Sequence, residues 1–246
     1  MGTYPPGSTF KAVTATIALQ EKIIDPTFSY KCNLSYSIPG YTLHCSHRHT
    51  SAKNVMDAIQ HSCNPYFWHV FRTNIDNEKY QDSKQAYTIW KNYCTQFGFD
   101  RKVGIDLLGE KEGNIPSTQY YNKLYNGSWR ASTIISLAIG QGEITVTPLQ
   151  LANFYTIIAN RGYYITPHIA KNINGKPVAH IDTNITKKET GISAEHFEKV
   201  VEAMHKVVQQ GTGTSAKIDS IAVCGKTGTV QNPHGDDHST FIAFAP

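Results

Sequence analysis

Several familiar features are absent from this sequence. No apolar run approaches the roughly 20 residues that cross a bilayer, and no charged-then-apolar leader precedes the first motif. Charged residues make up only 17%, with no long run of one sign. A net charge of +4 suits an anionic substrate or surface. No basic stripe with interleaved aromatics is visible, so nucleic acid is not an expected partner. The five cysteines are odd in number and irregularly spaced, which excludes a regular disulfide framework. Internal repeats and low-complexity tracts are also absent. What remains is 246 residues with 40% apolar and 11% aromatic content, enough for one large domain or two small ones.

Along the chain the pattern is mostly helical. Apolar spacing predicts a helix from Ser8 to about Ile24, a loop over 25–50, and a short helix from Ala52 to His61. Pro65 starts another helix, and a further one spans 82–97 and stops at Gly98. Residues 100–130 read as mostly loop, and 132–139 as an apolar run before Gly140. Thr147-Pro148 opens a helix whose buried stripe is Leu151, Phe154 and Ile158. Residues 163–185 alternate weakly, with a small hairpin at Gly175-Lys176. Ser193 is expected to cap the last long helix, with Phe197, Val200, Val201, Met204 and Val208 on its apolar face and Gly211 at its end. Strands are expected over 218–230 and 240–245, joined by a polar turn at 232–238.

Three short stretches point to chemistry. In YPPGSTFKAV, residues 4–13, Ser8 and Lys11 stand at i and i+3, on one face of a helix and within reach of each other. A serine hydroxyl needs a base, and a lysine whose pKa burial has lowered can be one. An S-x-x-K match is expected about once by chance in a chain this long. Ser62-Cys63-Asn64 lies at a helix junction, where it could relay protons and bind an amide, or simply cap a helix. Lys226-Thr227-Gly228-Thr229 is more specific. It lies in strand context, with a cation and two hydroxyls suited to a carboxylate, and no Walker-type glycine run precedes it.

The order Ser-x-x-Lys, Ser-x-Asn, Lys-Thr-Gly is the general signature of penicillin-binding proteins and class A β-lactamases. PPGSTFK, SCN and KTGT resemble the three active-site motifs of penicillin-binding protein transpeptidase domains. IGQGEITVTPLQLANFYTIIANRG resembles the segment that class B members carry between the second and third motifs. GIDLLGEKEGNIP and NPHGDDHSTFIAFAP are similar to the same family, nearest to its elongation-type penicillin-binding protein 2. The resemblance covers nearly the whole chain. It implies that Ser8 is the acylated nucleophile and Lys11 its base, with Ser62 and Lys226 completing a proton relay. Asn64 would hold the substrate amide, and Thr227, Gly228 and Thr229 the terminal carboxylate. The oxyanion hole would be the backbone N–H groups of Ser8 and Thr229. The implied substrates are peptidoglycan stem peptides ending in D-Ala-D-Ala, with β-lactams acylating the same serine and no cofactor needed for catalysis. A membrane glycosyltransferase of the elongation machinery is the implied partner. The implied location is extracytoplasmic, on the periplasmic face and anchored to the membrane. The E-x-x-L-N glutamate of class A β-lactamases is missing. A class D-like β-lactamase or β-lactam sensor shares S-T-F-K and K-T-G, but its second motif is S-x-V. An inactive fragment is the remaining alternative.

Cys32, His44, Cys45, His47, His49 and Cys63 crowd one stretch. By composition they suit either a tetrahedral structural zinc or solvated histidines beside buried thiols. The resemblance favours zinc, because some elongation-type relatives carry one near the second motif, with the motif's middle residue as a ligand. The expected set is Cys32, Cys45, His49 and Cys63, with His47 as runner-up to His49. Cys94 and Cys224 read as core thiols.

The implied fold is α/β (α+β): a helical region packed on an antiparallel sheet, in the serine β-lactamase and transpeptidase manner. Residues 1–246 are expected to form one domain cut from a longer one. Residues 8–212 would be mainly helical, and 213–246 would be the strand region with the Lys-Thr-Gly motif. The resemblance places two strands before the first motif, a strand and helix after the last, and an anchor and pedestal domain further upstream. The segment alone is therefore expected to hold only two core strands, with unpartnered edges, and to take up fluorescent penicillin poorly.

Overall fold

The computed structural model describes residues 2–177, 186–230 and 237–245. Its centre is α1 (Lys11–Gln20), entered through a tight 3-10 turn at Gly7–Phe10. The segment AVTATIAL that follows Lys11 carries no charge, and all of Lys11–Leu19 is buried. A helix apolar on every side must be surrounded. Here α1 packs against α2 (Val55–Gln60), α3 (Asn64–Ile75), α4 (Ser83–Gln96) and α7 (Ala194–Gln210). The helix expected over 8–24 is thus shorter, because its first turn tightens and Lys22 turns left-handed at φ 54°.

The loop expected over 25–50 contains a hairpin, β1 (Ser35–Ile38) and β2 (Tyr41–His44), turned by Pro39-Gly40 with Gly40 at φ 78°. A short helix α5 (Thr118–Leu124), capped by Ser117, interrupts the stretch read as mostly loop, and a second 3-10 turn spans Ile135–Ile139. Helix α6 (Pro148–Ala159) starts with the capping box that its sequence encodes: Gln150 N–H donates to Thr147 Oγ1, and Thr147 N–H to Gln150 Oε1. Ser193 occupies the N-cap position of α7 but makes no side-chain capping bond.

Two-residue strands follow α6. β3 (Tyr163–Tyr164) pairs with β6 (Lys188–Glu189), and β4 (Asn172–Ile173) with β5 (Lys176–Pro177) about an Asn174-Gly175 turn. The rest of the alternation expected there, residues 178–185, lies outside the described residues. A third 3-10 turn, Thr214–Ala216, follows α7.

The long strands are β7 (Cys224–Val230) and β8 (His238–Phe244), paired antiparallel with Lys226 opposite Ile242 and Thr229 opposite Ser239. β7 starts later than its expected 218, because residues 218–221 close a tight turn of their own. β8 starts earlier than expected, at His238; residues 232–236 of the intended turn lie outside the described residues. Among the described residues β7 and β8 have no further strand partner. β7 lies against the Gly7–Phe10 turn and α7, which brings the last motif to the first. No helix among the described residues is long and apolar enough to cross a membrane.

Candidate active site

The turn that carries Ser8 is held from three directions. Tyr4 exchanges backbone bonds with Val146, Gly7 N–H donates to Gly140 O at 2.9 Å, and Tyr155 Oη donates to Thr9 O at 3.1 Å. Gly7 has φ +56°, and a Cβ there would lie 2.6 Å from Val230 Cγ2 and 2.9 Å from Thr229 O. Only glycine lets this turn lie so close to β7. Gly228 serves the same approach from the strand side, since its Cβ would meet Thr9 Cγ2 at 3.0 Å.

Ser62 lies just beyond α2 and adopts φ +52°, a left-handed conformation costing a non-glycine residue about 1–2 kcal/mol. The conformation ends α2, with Cys63 N–H returning to Ala58 O at 3.0 Å, and lets α3 begin at Asn64. Cys63 is the N-cap of α3, its Sγ accepting from Tyr66 N–H at 3.4 Å. The Ser-Cys-Asn stretch caps a helix and also presents two polar side chains to Lys11 of α1.

Lys11 and Lys226 are each 0% exposed. Lys11 Nζ donates to Ser62 O at 2.6 Å, Ser62 Oγ at 3.0 Å and Asn64 Oδ1 at 2.5 Å. Lys226 Nζ donates to Ser62 Oγ and Thr227 O, both at 2.9 Å. Among the described residues neither lysine has a carboxylate partner, and Lys11 does not hydrogen-bond the Ser8 hydroxyl that the i, i+3 spacing puts within reach. Burial lowers the Lys11 pKa from 10.5 to about 7, against an opposing pull from Cys45 and Cys63. Burial, and then repulsion from Lys11, push Lys226 well below the usual lysine range. A neutral Lys11 keeps two N–H donors, enough for Ser62 O and Asn64 Oδ1. Its lone pair is then left to accept from a hydroxyl, which is what a base for a serine needs. Asn64 turns its oxygen to Lys11, so its amide N–H groups remain available to the cleft.

That cleft encloses ≈ 1090 Å³, and Ser8, Ser62, Asn64, Thr227, Gly228 and Thr229 all line it. Side chains outside the three motifs complete its walls. The β1–β2 hairpin contributes Tyr41 and His44, α3 contributes Trp68, and Thr212 sits with its Oγ1 2.7 Å from Thr227 Oγ1. The Pro-Gly turn was a visible signal for the hairpin. Thr212 gave none beyond its glycine-rich setting, QGTGT.

Cys32, Cys45, His49 and Cys63 converge on the far side of the Ser62 junction, with one donor atom from each within 4.8 Å of the others. His49 Nε2 lies 3.3 Å from Cys45 Sγ and 3.7 Å from Cys32 Sγ. These bracket the edge of about 3.5 Å implied by ordinary zinc–sulfur and zinc–nitrogen bonds in a tetrahedron. His49 Nδ1 bonds Thr50 O at 2.7 Å, which fixes the tautomer and leaves Nε2 facing the thiols. A hydrogen bond from Cys63 brings the Cys45 thiol down to about 4; the same bond, with burial, pushes Cys63 far up. Burial also raises Cys32. The donor set fits a tetrahedral zinc. His47 is engaged elsewhere, with Nε2 at 2.9 Å from His61 O and Nδ1 at 3.0 Å from Ser46 Oγ. His44 faces the cleft. Cys94 and Cys224 are buried.

Known proteins supply an independent comparison. The model of the penicillin binding protein transpeptidase domain matches residues 1–246. The chain is 31% identical to the peptidoglycan D,D-transpeptidase MrdA of Acinetobacter baumannii over 268 residues, covering 100% of this chain and 38% of that protein. It is also 31% identical to MrdA of Haemophilus influenzae over 280 residues, covering 100% of this chain and 39% of that protein. The chain thus spans well under half the length of these curated relatives. Among solved structures, Pseudomonas aeruginosa PBP2 in complex with WCK 5153 superposes with a TM-score of 0.82 at 29% identity, over 100% of this chain and 54% of that one. Motifs from distant parts of the sequence meet in one cleft, and the match runs the full length: the chain belongs to the penicillin-binding protein transpeptidase domain family.

Proposed function

We propose that the protein is a peptidoglycan D,D-transpeptidase that works through a serine acyl-enzyme. The observation that carries this reading is a buried pair of lysines sharing one serine hydroxyl, with no carboxylate partner among the described residues, beside an accessible serine in an open cleft. Neutral Lys11 takes the Ser8 proton as Oγ attacks the carbonyl of the penultimate D-Ala. The oxyanion accepts from the N–H groups of Ser8 and Thr229. The proton now on Lys11 passes through Ser62, whose hydroxyl Lys226 also holds, to the departing D-Ala amine. An amine from a second stem peptide then attacks the ester, gives up its proton along the same route, and restores Ser8. Asn64 donates to the substrate amide, and Thr227 and Thr229 to its terminal carboxylate. β-Lactams enter at the same serine. The substrate implies an extracytoplasmic, membrane-associated setting beside a glycan-polymerising partner.

Cys32, Cys45, His49 and Cys63 would hold a structural zinc. When bound, the ion ties the loop after α1 to the Ser62–Asn64 junction, and no step of the acyl transfer passes through it.

Intact mass after incubation of the natural-length protein with a β-lactam tests the reading. One stoichiometric adduct, absent from Ser8→Ala, is expected. Steady turnover of the β-lactam would favour a β-lactamase instead, and an adduct persisting in Ser8→Ala would overturn the assignment.

A further inference from the structure

The cleft has to receive a carboxylate, yet among the described residues no lysine or arginine lines it. Lys226 lies behind the strand surface, with Nζ committed to Ser62 Oγ and Thr227 O. Imidazoles of His44 and His47 and the amides of Asn64 and Gln141 also line it, but at the Lys-Thr-Gly strand the side-chain donors are hydroxyls, and each hydroxyl has only one hydrogen to give. How the hydrogens of the threonines are directed then decides the strength of the pocket.

Thr212, just beyond α7, lies in the cleft with its Oγ1 2.7 Å from Thr227 Oγ1. Its segment is latched to the end of α2. Thr212 N–H donates to Gln60 O at 3.4 Å, Gln60 Nε2 donates to Gln210 O at 3.4 Å, and a Cβ on Gly211 would stand 2.7 Å from Gln60 O. Gln60 is two residues from Ser62, so the hydroxyl of Thr212 is held in register with the proton-relay serine.

We propose that Thr212 is a positioning residue of the carboxylate pocket. It donates its hydroxyl to Thr227 Oγ1, which directs the Thr227 hydrogen outward to the substrate carboxylate and strengthens it as a donor. Without that bond the Thr227 hydrogen is free to turn back, and the pocket loses an aimed donor. The proposal rests on the acyl-enzyme reading above and adds a residue to it.

The test compares acylation of the natural-length protein, Thr212→Val and Thr212→Ser. The probes are a penicillin and the same penicillin with its carboxylate blocked as a methyl ester. Thr212→Val should lower the second-order acylation rate with the free acid by about tenfold, through weaker apparent binding at an unchanged maximal rate. Thr212→Ser should restore it, and the ester should react alike with all three proteins. Equal rates for Thr212→Val and the parent would overturn the proposal. So would a loss shared by acid and ester, which would mean a structural role. If Thr212→Val fails to fold, Thr212→Ala takes its place under the same criteria. A parent protein never acylated at Ser8 would instead sink the acyl-enzyme reading, and the role of Thr212 with it.

Discussion

Helix α1 carries buried Lys11 at its first position and half-buried Glu21 just past its last, and its two ends treat a charge withdrawn from water in opposite ways. Glu21 is fully partnered: its carboxylate accepts from Tyr80 Oη and Tyr93 Oη at 2.6 Å and from Lys79 Nζ at 2.7 Å. Burial pushes its pKa up, but hydrogen bonds from Lys79, Tyr80 and Tyr93 outweigh that and bring it below the usual carboxylate value. Lys11 is more deeply buried, has only neutral acceptors among the described residues, and has its pKa lowered by burial to about 7. A charge meant to persist is given a counter-charge. A buried amine denied one gives up its proton more readily, as the base proposed for Ser8 must.

The largest expected effect follows from removing the unpartnered amine. Acylation by a β-lactam should rise with pH about a midpoint near 7, as Lys11 becomes neutral. In Lys11→Met it should be about 10³-fold slower and lose that limb. Folding stability carries the same signature. Between pH 7 and 10.5 the unfolded chain holds a proton that the native Lys11 lacks, so stability should rise with pH across that window. Below about 7 both states are protonated, and the native state bears the full cost of the buried cation. A pH-independent acylation rate would remove the contrast between the two ends of α1.

Next in size is loss of the metal. Elemental analysis should find about one zinc per chain, and chelation should lower the melting temperature by about 5 °C or more. Cys63 stands between Ser62 and Asn64, so the slackening should reach the acceptors of Lys11 and slow acylation. Amide exchange around Tyr80 and Tyr93, at the other end of α1, should not change. A metal-free sample that is fully folded would refute the zinc centre.

The difference between the two ends also explains what could be read from the sequence. Ser8, Lys11, Ser62, Asn64 and Lys226 were legible because each sits in a short motif, and the order of the motifs carries more information than any one of them. The zinc candidates were legible as a set, with His49 placed ahead of His47, and the backbone carbonyls that hold each ring give that order its physical reason. Helix α1 was placed, though its first turn was not, because the close contact of Gly7 with β7 is a tertiary constraint. The hairpin 35–44 carries a turn signal at Pro39-Gly40, but its strands are four residues each and largely polar, so the stretch reads as loop. Glu21 drew no attention at all. Its partners, Lys79, Tyr80 and Tyr93, lie far along the chain in no recognisable pattern, and only folding assembles them.

Glu21→Gln therefore gives the smallest effect and the sharpest control. The amide keeps the shape but offers one acceptor oxygen where the carboxylate gave two, and it leaves Lys79 without its counter-charge. Three charge-assisted bonds weaken together, and the unfolded chain loses nothing comparable, so stability at neutral pH should fall by about 1–3 kcal/mol. The parent's advantage should shrink as pH falls through the depressed pKa of Glu21, because protonation removes the same charge. Acylation of Ser8 should stay within about twofold of the parent, since no bond of Glu21 reaches the cleft. Denaturant titration and β-lactam labelling on the same preparations measure both quantities. A loss of acylation as large as that of Lys11→Met would mean that the two ends of α1 act as one unit, and that partnering a charge is not what separates structure from chemistry here.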